Sequence, residues 1–156
     1  MTPSTLLSTS MIRTLFLLLA ILVSQESGAQ QSTLRNLTDV KTFSEGFMGL
    51  VGSGKYDEAF KRARSIVIIP LVELDAAVAQ ANSQMPQVIQ RAGKPKGYEF
   101  IREQKVGESL VRHQYIARHE RFAMRWNFVF YNTGSGWVLA EFKFDTNLSS
   151  LFPGEA

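Results

Sequence analysis

His113 and His119 are the only imidazoles in this chain of 156 residues. They lie six residues apart in LVRHQYIARH, a stretch that alternates apolar and polar side chains. A strand rises about 3.3 Å per residue, so the two rings would stand about 20 Å apart and could not share one metal ion. The chain has no cysteine to add a thiolate ligand, and no metal site is expected. His113 has the parity of Val111, Tyr115 and Ala117, the more apolar face of that strand. A histidine and a tyrosine facing a lined cavity could pass a proton or orient a ligand carbonyl. In a filled core the same pair would only satisfy hydrogen bonds. His119 sits beside a turn and is expected in solvent.

Two further patterns invite a chemical reading. Gly49 to Lys55 reads G-L-V-G-S-G-K, the first seven positions of a phosphate-binding loop. That loop needs a strand before it and a hydroxyl residue next, for magnesium. Here the preceding residues have helical spacing and the next residue is Tyr56. The stretch therefore reads as a turn between helices, and no nucleotide or other cofactor is expected. Tyr115, Trp126, Phe128, Phe142 and Phe144 share buried-parity positions, so they either line an apolar cavity or fill a core.

The elements that must position these residues follow from periodicity. Thr33 to Val51 carries apolar residues at three- and four-residue spacings, an amphipathic helix ended by Gly52-Ser53-Gly54. Tyr56, Ala59, Phe60, Ala63 and Val67 make a second helical stripe, and Ser65 to Ile69 is β-branched enough for a short extended link. Pro70 is placed to open a third helix, with Leu71, Leu74, Val78, Met85, Val88 and Ile89 along its stripe. Pro86 inside it is expected to kink or split the helix. From Gly97 onward the period becomes two. Strands are expected over Tyr98–Val106 and Leu110–His119. A hairpin follows from Arg121 to Asp145 around Asn132-Thr133-Gly134-Ser135-Gly136. On its second strand Val138, Ala140, Phe142 and Phe144 fall on one side. Helices first and antiparallel strands afterwards is the α+β pattern.

The N-terminus stands apart from this scheme. Leu15 to Val23 is a short apolar run with Arg13 before it and Ser27-Gly28-Ala29 after it. Such a run reads as an export signal over residues 1–29, cut after Ala29, with Met11 as an alternative start. It is too short to span a bilayer comfortably, so no membrane span is expected once it is removed. The chain is expected in a periplasmic or secreted setting, and residues 30–156 as one domain. Without disulfides, that domain stands on its apolar core alone. The net charge is +3. Residues 91–125 hold nine basic against four acidic side chains, interleaved with apolar ones as on a solvated sheet face. Nucleic acid is not expected as a partner, since binding it wants a clustered basic face with exposed aromatics. An anionic ligand is compatible with the excess.

Arg125-Trp126-x-Phe128-x-Phe130-Tyr131 followed by Gly136-Trp137-x-Leu139-x-x-Phe142-x-Phe144-Asp145 resembles the closing hairpin of small exported bacterial proteins in the NTF2-like (cystatin-like α+β cone) superfamily. Gly54 to Phe60, G-K-Y-D-E-A-F, is similar to the early helical turn of such domains. The resemblance implies N-terminal helices packed on the concave face of a bent antiparallel sheet of about four strands. It also implies a pocket beneath the helices and a homodimer through the sheet. Superfamily members include isomerases, dehydratases, ligand binders and scaffolds, so fold does not settle function. The expectation is a non-catalytic binding or interaction module. Its apolar pocket would be lined by His113, Tyr115, Trp126, Phe128 and Phe142 and would take a small apolar or anionic ligand. The alternative is a small isomerase- or dehydratase-type enzyme using His113 and Tyr115, with Asp75 as the pocket acid. Asp57 and Asp145 read as a helix first turn and a strand end.

Overall fold

The structure, a computed structural model, describes residues 32–152. The expected signal over residues 1–29 and the alternative start at Met11 lie outside them. The described residues form three helices followed by four antiparallel strands in the order β1-β2-β3-β4, an α+β arrangement. The helices are α1 (Leu37–Gly52), α2 (Tyr56–Ala63) and α3 (Leu71–Ala92). The strands are β1 (Pro95–Val106), β2 (Leu110–His119), β3 (Ala123–Asn132) and β4 (Trp137–Asp145). Among the described residues no helix is long and apolar enough to cross a membrane.

Helix α1 starts later than its apolar spacing predicts. Asn36 is extended and its side chain accepts the Asp39 N–H at 2.9 Å, a cap that satisfies one orphan donor of the first turn. Ahead of it, the Leu34 N–H and C=O exchange bonds with Trp137 at 2.8 and 2.7 Å, so residues 33–35 belong to the sheet edge. At the other end α1 closes against β1. A Cβ on Gly52 would lie 2.9 Å from the Gly97 carbonyl carbon, a contact that only glycine permits. Gly49 to Lys55 is the end of α1 and the turn into α2, as its spacing predicts.

Helix α3 runs unbroken through Pro86, contrary to a split. Pro86 is exposed, so water can serve the carbonyl it orphans, while buried Met85 and Ala92 pin the helix on either side. Between α2 and α3, Ile66 C=O and Ile68 N–H bond the backbone of Leu139 at 2.8 and 3.1 Å. The expected extended link thus lies along the start of β4.

One face of the sheet carries the core. Val111, His113, Tyr115 and Ala117 of β2 and Met124, Trp126, Phe128 and Phe130 of β3 are all buried. Phe47 of α1 sits at the centre, its ring 5.0 Å from Phe128, 5.6 Å from Trp126 and 6.2 Å from Phe142. Register shifts in β1 and opposite Val129/Phe130 bend the strands. The second one corrects the parity expected on β4. Phe130 opposes Leu139 but Val129 opposes Glu141, so Ala140 is the extra residue of a bulge. Leu139, not Val138 and Ala140, shares the inner face with Phe142 and Phe144.

On the outer face Arg102, Gln114 and Asn127 form a hydrogen-bonded row at 2.5 and 2.7 Å. Arg125 holds Asp145 at 2.6 and 3.1 Å and also reaches the Ser150 hydroxyl. The short 3-10 turn Ser149–Leu151 is thereby tied back across the sheet.

Candidate functional site

Of the five side chains expected to line a pocket, four are wholly enclosed. His113, Tyr115, Trp126 and Phe128 show no exposed surface, and only Phe142 reaches a groove. The structure therefore holds two separate places of interest, a buried polar chain and an open apolar groove.

The polar chain begins at Ser44, on the α1 stripe between Phe43 and Phe47. Its Oγ lies 2.8 Å from His113 Nδ1 and 3.0 Å from the Tyr115 hydroxyl, and all three residues are fully buried. On the far side of the ring, His113 Nε2 lies 3.0 Å from Glu103 Oε2. Glu103 faces His113 across the β1–β2 ladder and is partly exposed. Burial lowers the His113 pKa, the Glu103 bond and charge opposing it only in part. Burial alone would raise Glu103, but hydrogen bonds and charge from Lys105 and His113 bring it below its ordinary value. Burial pushes the Tyr115 hydroxyl up to about 12. The resting state is thus a neutral imidazole against an ionised Glu103, with Tyr115 protonated.

One proton arrangement satisfies both ring nitrogens and the Tyr115 hydroxyl. An ionised carboxylate only accepts, so Nε2 carries the proton and donates to Glu103. Nδ1 must then accept, so the Ser44 hydroxyl donates to it, and Tyr115 donates to Ser44 Oγ. Hydroxyl, imidazole and carboxylate stand in the order of a nucleophilic hydrolase set. The Ser44 oxygen has no exposed surface, however, so no substrate carbonyl can reach it. The arrangement instead satisfies buried polar groups between α1 and the sheet.

Sequence reasoning passed over both Ser44 and Glu103, though each left a trace. Ser44 interrupts the apolar spacing of Val40, Phe43 and Phe47. Glu103 falls opposite His113 once β1 and β2 are folded about Gly107-Glu108-Ser109. Asp75, the acid expected with His113 and Tyr115, is instead exposed on α3 and paired with Arg64. His119 is buried, against expectation. Its strand parity turns it inward, where its Nε2 meets the Tyr56 hydroxyl at 3.0 Å and its ring faces Phe122. Among the described residues no cluster of three metal-ligating side chains exists.

The groove lies between α3 and the latter half of β4 and encloses about 580 Å³. Phe60, Val67, Ile69, Phe142 and Phe144 give it apolar walls, and Ala77 and Ala81 leave room beneath the helix. Gln80 and Gln84 offer amides from α3. Lys143 is 3.0 Å from Glu141, and Asp145 is held by Arg125, so the charges at its margin are already matched. Behind the groove the Trp126 ring stacks on Phe144 at 4.6 Å, and its buried indole N–H meets no acceptor. Ala77 and Ala81 are the trace this groove leaves in the sequence, since their short side chains do not fill the space between α3 and β4. Compared with known protein families, curated proteins and solved structures, the chain matches none.

Proposed function

We propose that the chain is an exported, non-catalytic binding module that holds a small apolar ligand in the groove between α3 and β4. The observation that carries this reading is the groove itself. Its volume of about 580 Å³ suits a small organic molecule, and its walls are apolar with two amides to orient a polar end. Matched margin charges favour an apolar ligand over an anionic one. Export to a periplasmic or secreted setting rests on Arg13, the Leu15–Val23 run and Ser27-Gly28-Ala29. The absence of cysteine is in keeping with a bacterial envelope. Kinship with the NTF2-like superfamily rests on the Arg125–Asp145 hairpin pattern. Pairing of two copies through the sheet, which that kinship implies, is compatible with the reading and independent of it.

A small isomerase or dehydratase would need His113 and Tyr115 open to substrate beside a carboxylate. Both are enclosed and Asp75 sits elsewhere on the surface, which favours the binding reading. Mass spectrometry of molecules that co-purify with the chain, together with titration of an apolar fluorescent probe, tests it. Exposed Ala77 lines the groove, and Ala77→Trp should abolish probe binding while leaving the unfolding midpoint unchanged. Absence of any co-purifying molecule, with equal probe affinity in both proteins, would overturn the reading.

A further inference from the structure

The groove wall on the sheet side is a strand edge. Six consecutive residues of β4, Ala140 to Asp145, line it, odd and even alike, so the groove runs along the edge of the strand and not over one face of it. β4 is the last strand of the sheet. Its outer edge is occupied at Trp137 by Leu34 and at Leu139 by the Ile66–Ile68 link. Beyond Leu139 the chain leaves at Pro70 for α3, and among the described residues no strand pairs with 140–145 on that side. An open edge of this length is a template for another strand.

We propose that this edge pairs with β4 of a second copy of the chain, antiparallel about a two-fold axis at Phe142. The side-chain pattern selects this occupant and this register. Phe142 and Phe144 face the core side, while Glu141, Lys143 and Asp145 face outward. In a symmetric antiparallel pair, only registers that keep core-facing residues opposite one another retain the buried face. Every register centred on a residue meets this condition, but within the open segment 140–145 only those centred on Phe142 and Lys143 pair five residues of each copy, the others three or fewer. Centring on Glu141 sets two glutamates opposite each other, and centring on Lys143 sets two lysines opposite, both unfavourable. Centring on Phe142 sets Glu141 of each copy opposite Lys143 of the other and Phe142 opposite Phe142. The Glu141–Lys143 pair at 3.0 Å within one strand becomes a quartet of alternating charges across two. The four strands of each copy join into one sheet, and the two grooves run together under the two α3 helices. This inference does not depend on any ligand in the groove.

Sedimentation of the purified chain across a concentration series tests it. Wild type is expected to be a dimer. K143E and E141K should each weaken dimerisation on the order of tenfold or more, since two symmetric attractions become repulsions. The double exchange E141K/K143E restores opposite charges and should restore the dimer, as should mixing the two single variants. Both positions are exposed, and unchanged circular dichroism checks that each variant is folded. A monomeric wild type, whether bare or with a peptide or apolar molecule on the edge, overturns the proposal. So does a dimer indifferent to both single exchanges.

Discussion

Ser44 Oγ, on α1, stands 2.8 Å from His113 Nδ1, on β2, and this contact ties the first helix to the sheet through a polar pair inside an apolar core. With Glu103 on the other ring nitrogen at 3.0 Å, the imidazole has an assigned tautomer and a preferred charge. Burial lowers the pKa of His113, and likewise of His119. A group whose folded pKa is depressed takes up its proton first in the unfolded chain. Stability is therefore full above the ordinary histidine pKa of 6.5 and falls as pH drops through that value toward the folded one. Denaturant midpoints between about pH 8 and about pH 5 should decline with falling pH. His113→Gln should flatten the decline, leaving the share of His119. Nitrogen NMR should place the neutral-state proton on Nε2. A proton on Nδ1 would contradict the assigned chain.

Removing the hydroxyl at the head of the chain should cost more than removing the one behind it. Ser44→Ala leaves His113 Nδ1 and the Tyr115 hydroxyl buried without their shared partner, a loss of about 1–3 kcal/mol. Tyr115→Phe takes away only a donor to Ser44, which keeps His113 as its acceptor, and should cost about 1 kcal/mol. Urea unfolding of the two variants checks the order. A neutral Ser44→Ala would mean that the two orphaned groups find each other.

Pro86 is an imperfection in α3 that the surrounding contacts carry. Restoring the missing N–H with Pro86→Ala should stabilise the chain by about 2 kcal/mol, the gain in helix preference less the entropy returned to the unfolded state. Thermal unfolding reads the gain. No gain would show that the helix has already relaxed around the proline.

Two glycines of α1 should respond in opposite directions to the same change. A Cβ at Gly49 meets nothing within 4 Å, so Gly49→Ala should add roughly 0.5–1 kcal/mol of helix stability. A Cβ at Gly52 meets the Gly97 backbone at 2.9 Å, so Gly52→Ala should push α1 away from β1. The cost is about 1–3 kcal/mol, as for overpacking elsewhere. Equilibrium unfolding of both variants in parallel tests the pair, and a stabilised Gly52→Ala would contradict the close approach.

Local pattern alone was enough for the order of elements, because period and turn residues act over a few neighbours. The alternation from Phe122 to Phe130, the glycines of the hairpin loop and the helical stripe of Phe43 and Phe47 each specify their element without help from the rest of the chain. Long-range contact decided what those local signals could not carry. The Ala140 bulge shifts the face of β4, and Leu139 beside it bonds the link from Ile66 to Ile68, a partner more than seventy residues away in the chain. Ser44 completes the bonds of His113 only because α1 lies over β2. The apolar aromatics expected around a pocket filled the core instead, since Phe47 from the opposite layer occupies the space among them. The open groove fell at the sheet edge, where α3 turns small alanines toward β4. Side-chain type sets what may be buried. Only the meeting of distant surfaces sets which buried positions are filled and which stay open.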